Sequence, residues 1–200
     1  MLLLLLSLRC RMPLPAREVA LYRAAMRDVS TLAESELLTY WRQFDLSAAT
    51  KVRDGLLDVL PGLVNTYFLS AASVSADWYD LMRLEAGVRK RFAAVMPDAP
   101  TDGRAEALAR WSVAPLFSDS PAVDIALVKV LGGLSRTVLN GARETVVQST
   151  RADPARVGWR RVGAGGCDYC RARIGTVVYE ASVDFESHDN DHCDAVPEFD

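Results

Sequence analysis

Three of the four cysteines and both histidines of this 200-residue chain lie between positions 167 and 193. Cys167 and Cys170 stand three positions apart, just after a turn carrying Gly163, Gly165 and Gly166. That spacing can aim two sulfurs at one point. His188 and Cys193 offer the second half of a tetrahedron, giving the pattern C-x2-C-x17-H-x4-C. Thiolate and imidazole are ligands that zinc favours, and four of them close its shell with no open position. Asp189 and Asp191 flank the histidine and are placed to hydrogen-bond a ligating ring. The expectation is one structural Zn2+ held by Cys167, Cys170, His188 and Cys193. His192 is the alternative to His188, but it adjoins Cys193, and neighbouring residues have difficulty reaching one ion together. Two other readings stay open. A redox pair at Cys167 and Cys170 asks for an alternating β and α pattern that the chain lacks. A disulfide there asks for an oxidising compartment.

Other chemistry is sparsely represented. Residues 1–150 contain no histidine. Nothing in them has the spacing of a phosphate loop, a metalloprotease helix or a nucleophile elbow. A serine or cysteine hydrolase needs a histidine able to act as base. The two histidines present both fall in the proposed metal segment, so no catalytic residue is assigned.

The elements that must position this segment are mainly helical. Thr31 and Glu34 have the spacing of a capping box, with Leu38, Trp41 and Phe44 following. Leu56, Leu57, Leu60, Leu63, Val64, Tyr67 and Phe68 repeat with the helical period. Pro61 falls inside that series and predicts a kink or a new helix start. Pro97 to Gly103 is a break, with a short helix from Arg104 to Trp111 after it. Ser118 to Pro121 reads as a cap followed by Pro at the first helical position. Val123, Leu127, Val130, Leu131, Leu134, Val138, Ala142 and Val146 form the apolar face of a long helix. Lys129, Arg136, Asn140 and Arg143 lie mostly on its other face. Gly132 and Gly133 mark a bend or a close helix contact. Beyond Asp153-Pro154 the pattern changes to short strands, at 157–162 and 176–179.

The fold expected is mainly α, in three parts: an apolar extension at 1–13, a helical domain at 14–152, and a zinc-knuckle-like module of short strands and loops at 153–200. A module of about 45 residues normally needs a metal or disulfides to fold. The extension is too short to span a bilayer. Its arginines follow the apolar run instead of preceding it, unlike a secretory signal. Met12 as the start of translation, or a short helix docked on a partner, are the other readings. No run approaches the roughly 18 apolar residues of a membrane span.

Charge is divided sharply along the chain. The net is −3 overall, from 23 basic and 26 acidic groups. Residues 1–150 carry +1, residues 151–173 carry +4, and residues 174–200 carry −8 with no Lys or Arg. The acidic tail can pair with the basic stretch or with a partner. Arg151, Arg156, Arg160 and Arg161 could alternatively contact DNA phosphates.

The stretch from Gly141 to Glu180, with V-G-W-R-R-V and C-D-Y-C, and the closing H-D-N-D-H-C-D-A-V-P-E-F resemble the MuF-like minor capsid proteins of tailed phages, also called head morphogenesis proteins. Cys167 and Cys170 match the first pair of that pattern, and His188 and Cys193 the closing pair. Relatives often close with Cys-x-Cys, where this chain has Ala195. The resemblance implies a virion protein associated with the portal or inner capsid, acting in head assembly or DNA delivery. Its partners would be the portal and the major capsid protein. It would sit in the capsid interior or portal region, and in the host cytoplasm during assembly. Similar phage genes are also labelled capsid maturation proteases.

Overall fold

A computed structural model describes residues 16–163, 168–175, 177–188 and 193–199. The apolar extension, Cys10, Cys167 and His192 lie outside the described residues. Helix α1 spans Ala16–Trp41, and its buried residues Tyr22, Met26, Ser30, Ala33, Leu37 and Trp41 recur every three or four positions. The capping box at Thr31 and Glu34 does not start a helix. The buried stripe is continuous on both sides of it, so the chain gains more by staying helical. Ser30 instead donates to Glu34 Oε1 at 3.2 Å and shares a 2.6 Å hydrogen bond with Ser135 Oγ.

Helix α2 runs unbroken from Ala49 to Glu85 with Pro61 inside it. The proline removes one backbone hydrogen bond and costs about 3 kcal/mol. Leu56, Leu60, Leu63 and Val64 around it are all buried, and that burial holds the helix together, so no second helix starts at Pro61. By length and composition α2 could cross a membrane, but its apolar residues are the centre of the core and pack on the other helices.

Helix α3 spans Arg104–Ser112 and a 3-10 turn follows at Ala114–Phe117. Helix α4 spans Val123–Ala152, with Ala122 as its N-cap residue and no side-chain cap. Pro121 therefore lies before the helix. Ser118 Oγ donates to the carbonyls of Pro115 and Ser120, closing the preceding turn. Two glycines of α4 are contact points. A Cβ at Gly133 would overlap Leu108 of α3, and a Cβ at Gly141 would overlap the Phe68 carbonyl of α2. Of the pair Gly132-Gly133, Gly133 thus marks a close helix contact.

After α4 come β1 (Arg156–Val162), the single turn α5 (Asp168–Arg171), β2 (Val178–Tyr179) and β3 (Asp194–Phe199). The sheet has the order β2-β1-β3 and is antiparallel throughout. Trp159 pairs with Tyr179 on one side and Pro197 on the other. The strand β3 was not expected. Its first five residues are all buried, so it shows none of the alternation that marks a half-buried strand.

The general layout is the expected one, mainly helical with a small C-terminal sheet, but the zinc-binding character of that sheet region is not found. Among the described residues, no three His, Cys, Asp or Glu are grouped to hold a metal. An apolar core holds the sheet instead: Trp159, Ala195 and Val196 belong to the same buried cluster as Val138, Ala142 and Val146 of α4.

Candidate functional site

Arg161, Arg143 and Trp159 converge on one aromatic ring, that of Phe185. The Arg161 guanidinium lies 3.8 Å from its centroid and that of Arg143 lies 4.9 Å away. The Trp159 ring is tilted against it at 5.4 Å and stacks on Tyr179 at 4.3 Å. Trp159 Nε1 donates to the Val183 carbonyl at 3.1 Å. A segment that reads as polar and acidic is therefore seated on aromatic and guanidinium faces.

The basic stretch is engaged with the acidic tail. Arg151 donates to Asp184 Oδ1 at 2.6 Å and to the Ala181 carbonyl at 2.9 Å. Arg160 donates to Glu198 Oε1 at 2.8 Å and to the Gly175 carbonyl at 2.9 Å. Arg161 donates to the Glu186 carbonyl at 2.6 Å, and Arg156 to the Asp153 carbonyl at 2.7 Å. From α1, Arg23 reaches Asp194 Oδ2 at 3.2 Å. Of the two pairings open to the tail, this is the intramolecular one.

The structural Zn2+ expected at Cys167, Cys170, His188 and Cys193 is corrected: among the described residues no three His, Cys, Asp or Glu are grouped to hold a metal. Cys170 is fully buried, and Arg161 Nη1 approaches its Sγ at 3.9 Å. Cys193 is also fully buried, and its carbonyl accepts from Arg143 Nε and Nη2 at 3.0 and 2.7 Å. His188 is exposed and meets the Tyr169 ring edge-on at 5.0 Å. Cys167 lies outside the described residues.

Two features escaped the reading of the sequence. The first is Arg143, assigned to the polar face of α4 but only 1% exposed. It donates to Asn140 Oδ1 as well as to Cys193. The second is an ion pair between Arg83 of α2 and Asp153. Arg83 Nε and Nη2 contact the two carboxylate oxygens at 2.5 and 3.0 Å, and Tyr79 Oη donates to Asp153 at 3.2 Å. The Ala155 amide donates to Asp153 at 2.9 Å. Burial pushes the Asp153 carboxyl up, but Arg83, the amide and Tyr79 outweigh it and hold the group below its ordinary range. Burial and the nearby Asp153 charge drive the Tyr79 hydroxyl the other way, well above its ordinary value.

An open cleft of about 580 Å³ lies between α3, α4 and Ser187, lined by Arg104, Trp111, Arg136, Asn140 and Glu144. A smaller one of about 240 Å³ shares Asn140 and Glu144 and runs on to Arg151 and Asp184. Arg104 is tied to Asp102 and, at 3.2 Å, to Glu144. The charges at the mouth of the cleft are thus paired with one another.

A family model described as VG15 protein matches residues 14–200. No curated protein and no solved structure matches the chain.

Proposed function

We propose, for a chain that belongs to the VG15 protein family, a structural role in a tailed-phage head: a minor capsid or head morphogenesis protein at the portal or inner capsid, acting in head assembly or DNA delivery. One observation carries the reading. The two stretches whose residues resemble MuF-like proteins, V-G-W-R-R-V and D-A-V-P-E-F, are β1 and β3, paired from Gly158 with Glu198 to Val162 with Asp194, with a register shift between Gly158 and the Arg156–Phe199 pair. The motif is thus one physical object, a sheet fastened to the long helix α4 by Arg143 and by shared core.

The role proposed needs surfaces and rigidity, and the charges serve rigidity. Arg151, Arg160 and Arg161 hold the tail, so contact with packaged DNA is given no part in the proposal. No catalytic step is assigned. The test is association with particles. The protein should co-sediment with procapsids and heads on a density gradient and resist a salt wash. Recovery only at the top of the gradient, with no particle-bound fraction at any assembly stage, would contradict the role.

A further inference from the structure

The connection between α2 and α3, residues 86–103, contains no helix or strand, yet it is fastened along its length. α2 ends with Gly87 at φ 71°, and the Val88 amide donates back to the Arg83 carbonyl at 3.0 Å. The Arg83 guanidinium, while holding Asp153, donates from Nη1 to the Lys90 carbonyl at 2.9 Å. The same guanidinium lies 5.0 Å from the ring centroid of Phe92, and that ring meets Tyr79 at 6.0 Å. Beyond it the Ala94 amide donates to Asp80 Oδ1 at 3.1 Å and the Val95 amide to Ser149 Oγ at 2.8 Å. Connections longer than about 12–15 residues without secondary structure are uncommon in compact domains and are usually functional or disordered. The bonds fix this one in place, as a scaffold fixes a recognition loop.

Arg89, Lys90 and Arg91 stand exposed on this pinned backbone. Among the described residues none of the three has a carboxylate partner. Arg53, Arg104, Arg151 and Arg160 differ, each being paired with an acidic side chain. A fourth exposed cation, Arg156, is brought up from β1, donating to the Asp153 carbonyl at 2.7 Å. The buried Arg83–Asp153 pair thus gathers the four, the triad through the Lys90 carbonyl and Arg156 through the Asp153 carbonyl.

Charge chemistry says what fits this surface. Consecutive residues stand at most about 3.6 Å apart along the chain, so the three cations repel one another, and a single carboxylate cannot serve them all. Duplex DNA carries a negative charge for about every 1.7 Å of its axis, and guanidinium forks match phosphate oxygens. An acidic polypeptide is already present in the chain itself, and its carboxylates Asp184, Glu198 and Asp194 take Arg151, Arg160 and Arg23 instead. Neither cleft along α4 reaches the triad, so neither supplies a socket for a peptide side chain there.

We infer that Arg89, Lys90 and Arg91, with Arg156 beside them, form a contact surface for the phosphate backbone of duplex DNA, held without regard to base sequence. This surface is separate from Arg151, Arg160 and Arg161, whose charges the tail takes up. It does not rest on the head-protein reading, since the purified chain and DNA suffice to test it.

The experiment is fluorescence anisotropy of a labelled duplex of about 30 base pairs and mixed sequence, titrated with the full chain. The expected Kd is about 1–100 µM near 0.1 M salt, the same for a second duplex of unrelated sequence. Three to four phosphate contacts give a slope of log K against log salt of about −3, a loss of roughly 60-fold between about 50 and 200 mM. Arg89→Glu with Arg91→Glu should weaken binding at least about tenfold and flatten that slope by about 2. Both side chains are exposed, so the far-UV circular dichroism and unfolding midpoint should match the unaltered chain. If the reversal does disturb them, Arg89→Gln with Arg91→Gln gives the same reading without new carboxylates. Arg42→Glu with Arg110→Glu changes the net charge equally at exposed positions elsewhere, and should leave Kd unchanged. No binding at about 50 mM salt overturns the inference. Equal losses in the two charge-reversed double variants reduce the effect to net charge and also overturn it. Polyglutamate bound as tightly as the duplex overturns the assignment to nucleic acid.

Discussion

Asp153 is the residue on which most depends. It is fully buried, it ends α4, and its carboxylate takes bonds from Arg83, Tyr79 and Ala155. Asp153→Asn leaves the Arg83 guanidinium buried opposite a neutral amide, and breaking a buried pair in this way costs about 3–5 kcal/mol. Urea unfolding should read that loss, with the slope unchanged. Its folded-state pKa is depressed below the unfolded value of about 3.9. The stabilisation is therefore complete above that value and is lost as pH falls through the lower folded pKa. Stability measured from pH 6 down to about 2 should fall steeply below about pH 4, and Asp153→Asn should flatten that fall. None of this was legible in the sequence. Asp153-Pro154 carries a clear signal for a helix end, but the partner stands 70 positions earlier. The cysteine and histidine spacing misled for the converse reason. A spacing states which residues could meet, whereas the fold buries Cys170 and Cys193 and leaves His188 exposed against Tyr169.

At the scale of elements, the helices could be read because each buries a single stripe with the period of 3.6 residues. α3 and α4 fall within two residues of expectation at either end. The capping box at Thr31 starts no helix, and of the two readings of Pro61, a kink or a new helix start, the new start is overturned by continuous burial along α2. The strand β3 was hidden twice, by its unbroken burial and by Pro197. Proline is tolerated there because β3 is an edge strand, bonded on one side only to β1. The α2–α4 contact at Gly141 gives a test at this scale. Gly141→Ala places a methyl group against the Phe68 carbonyl, and the strain should cost about 1–3 kcal/mol despite the better helix propensity of alanine. Thermal unfolding should show the loss. An unchanged or raised midpoint would remove the close approach of the two helices from the account.

Over the whole molecule, sheet and bundle share one core, with Tyr79 of α2 edge-on to Phe199 of β3 at 5.4 Å and Trp159 and Val196 in the same buried cluster. A chain truncated after Thr150 would strip that cover from Val146, Val147 and Tyr79. It should unfold at lower temperature than the full chain and expose apolar surface to a hydrophobic dye. The full chain should unfold in a single step, with helix loss and aromatic signals coincident. A separate early loss of the aromatic signals, with the helices intact, would instead describe two independent bodies. A shared core of this kind suits the head role proposed above. The measurement that tests this most directly is quantitative mass spectrometry of purified, nuclease-treated heads and procapsids. The account predicts peptides spanning residues 16–199 in both, at a small fraction of the major capsid protein. Their absence from heads and procapsids alike would contradict it.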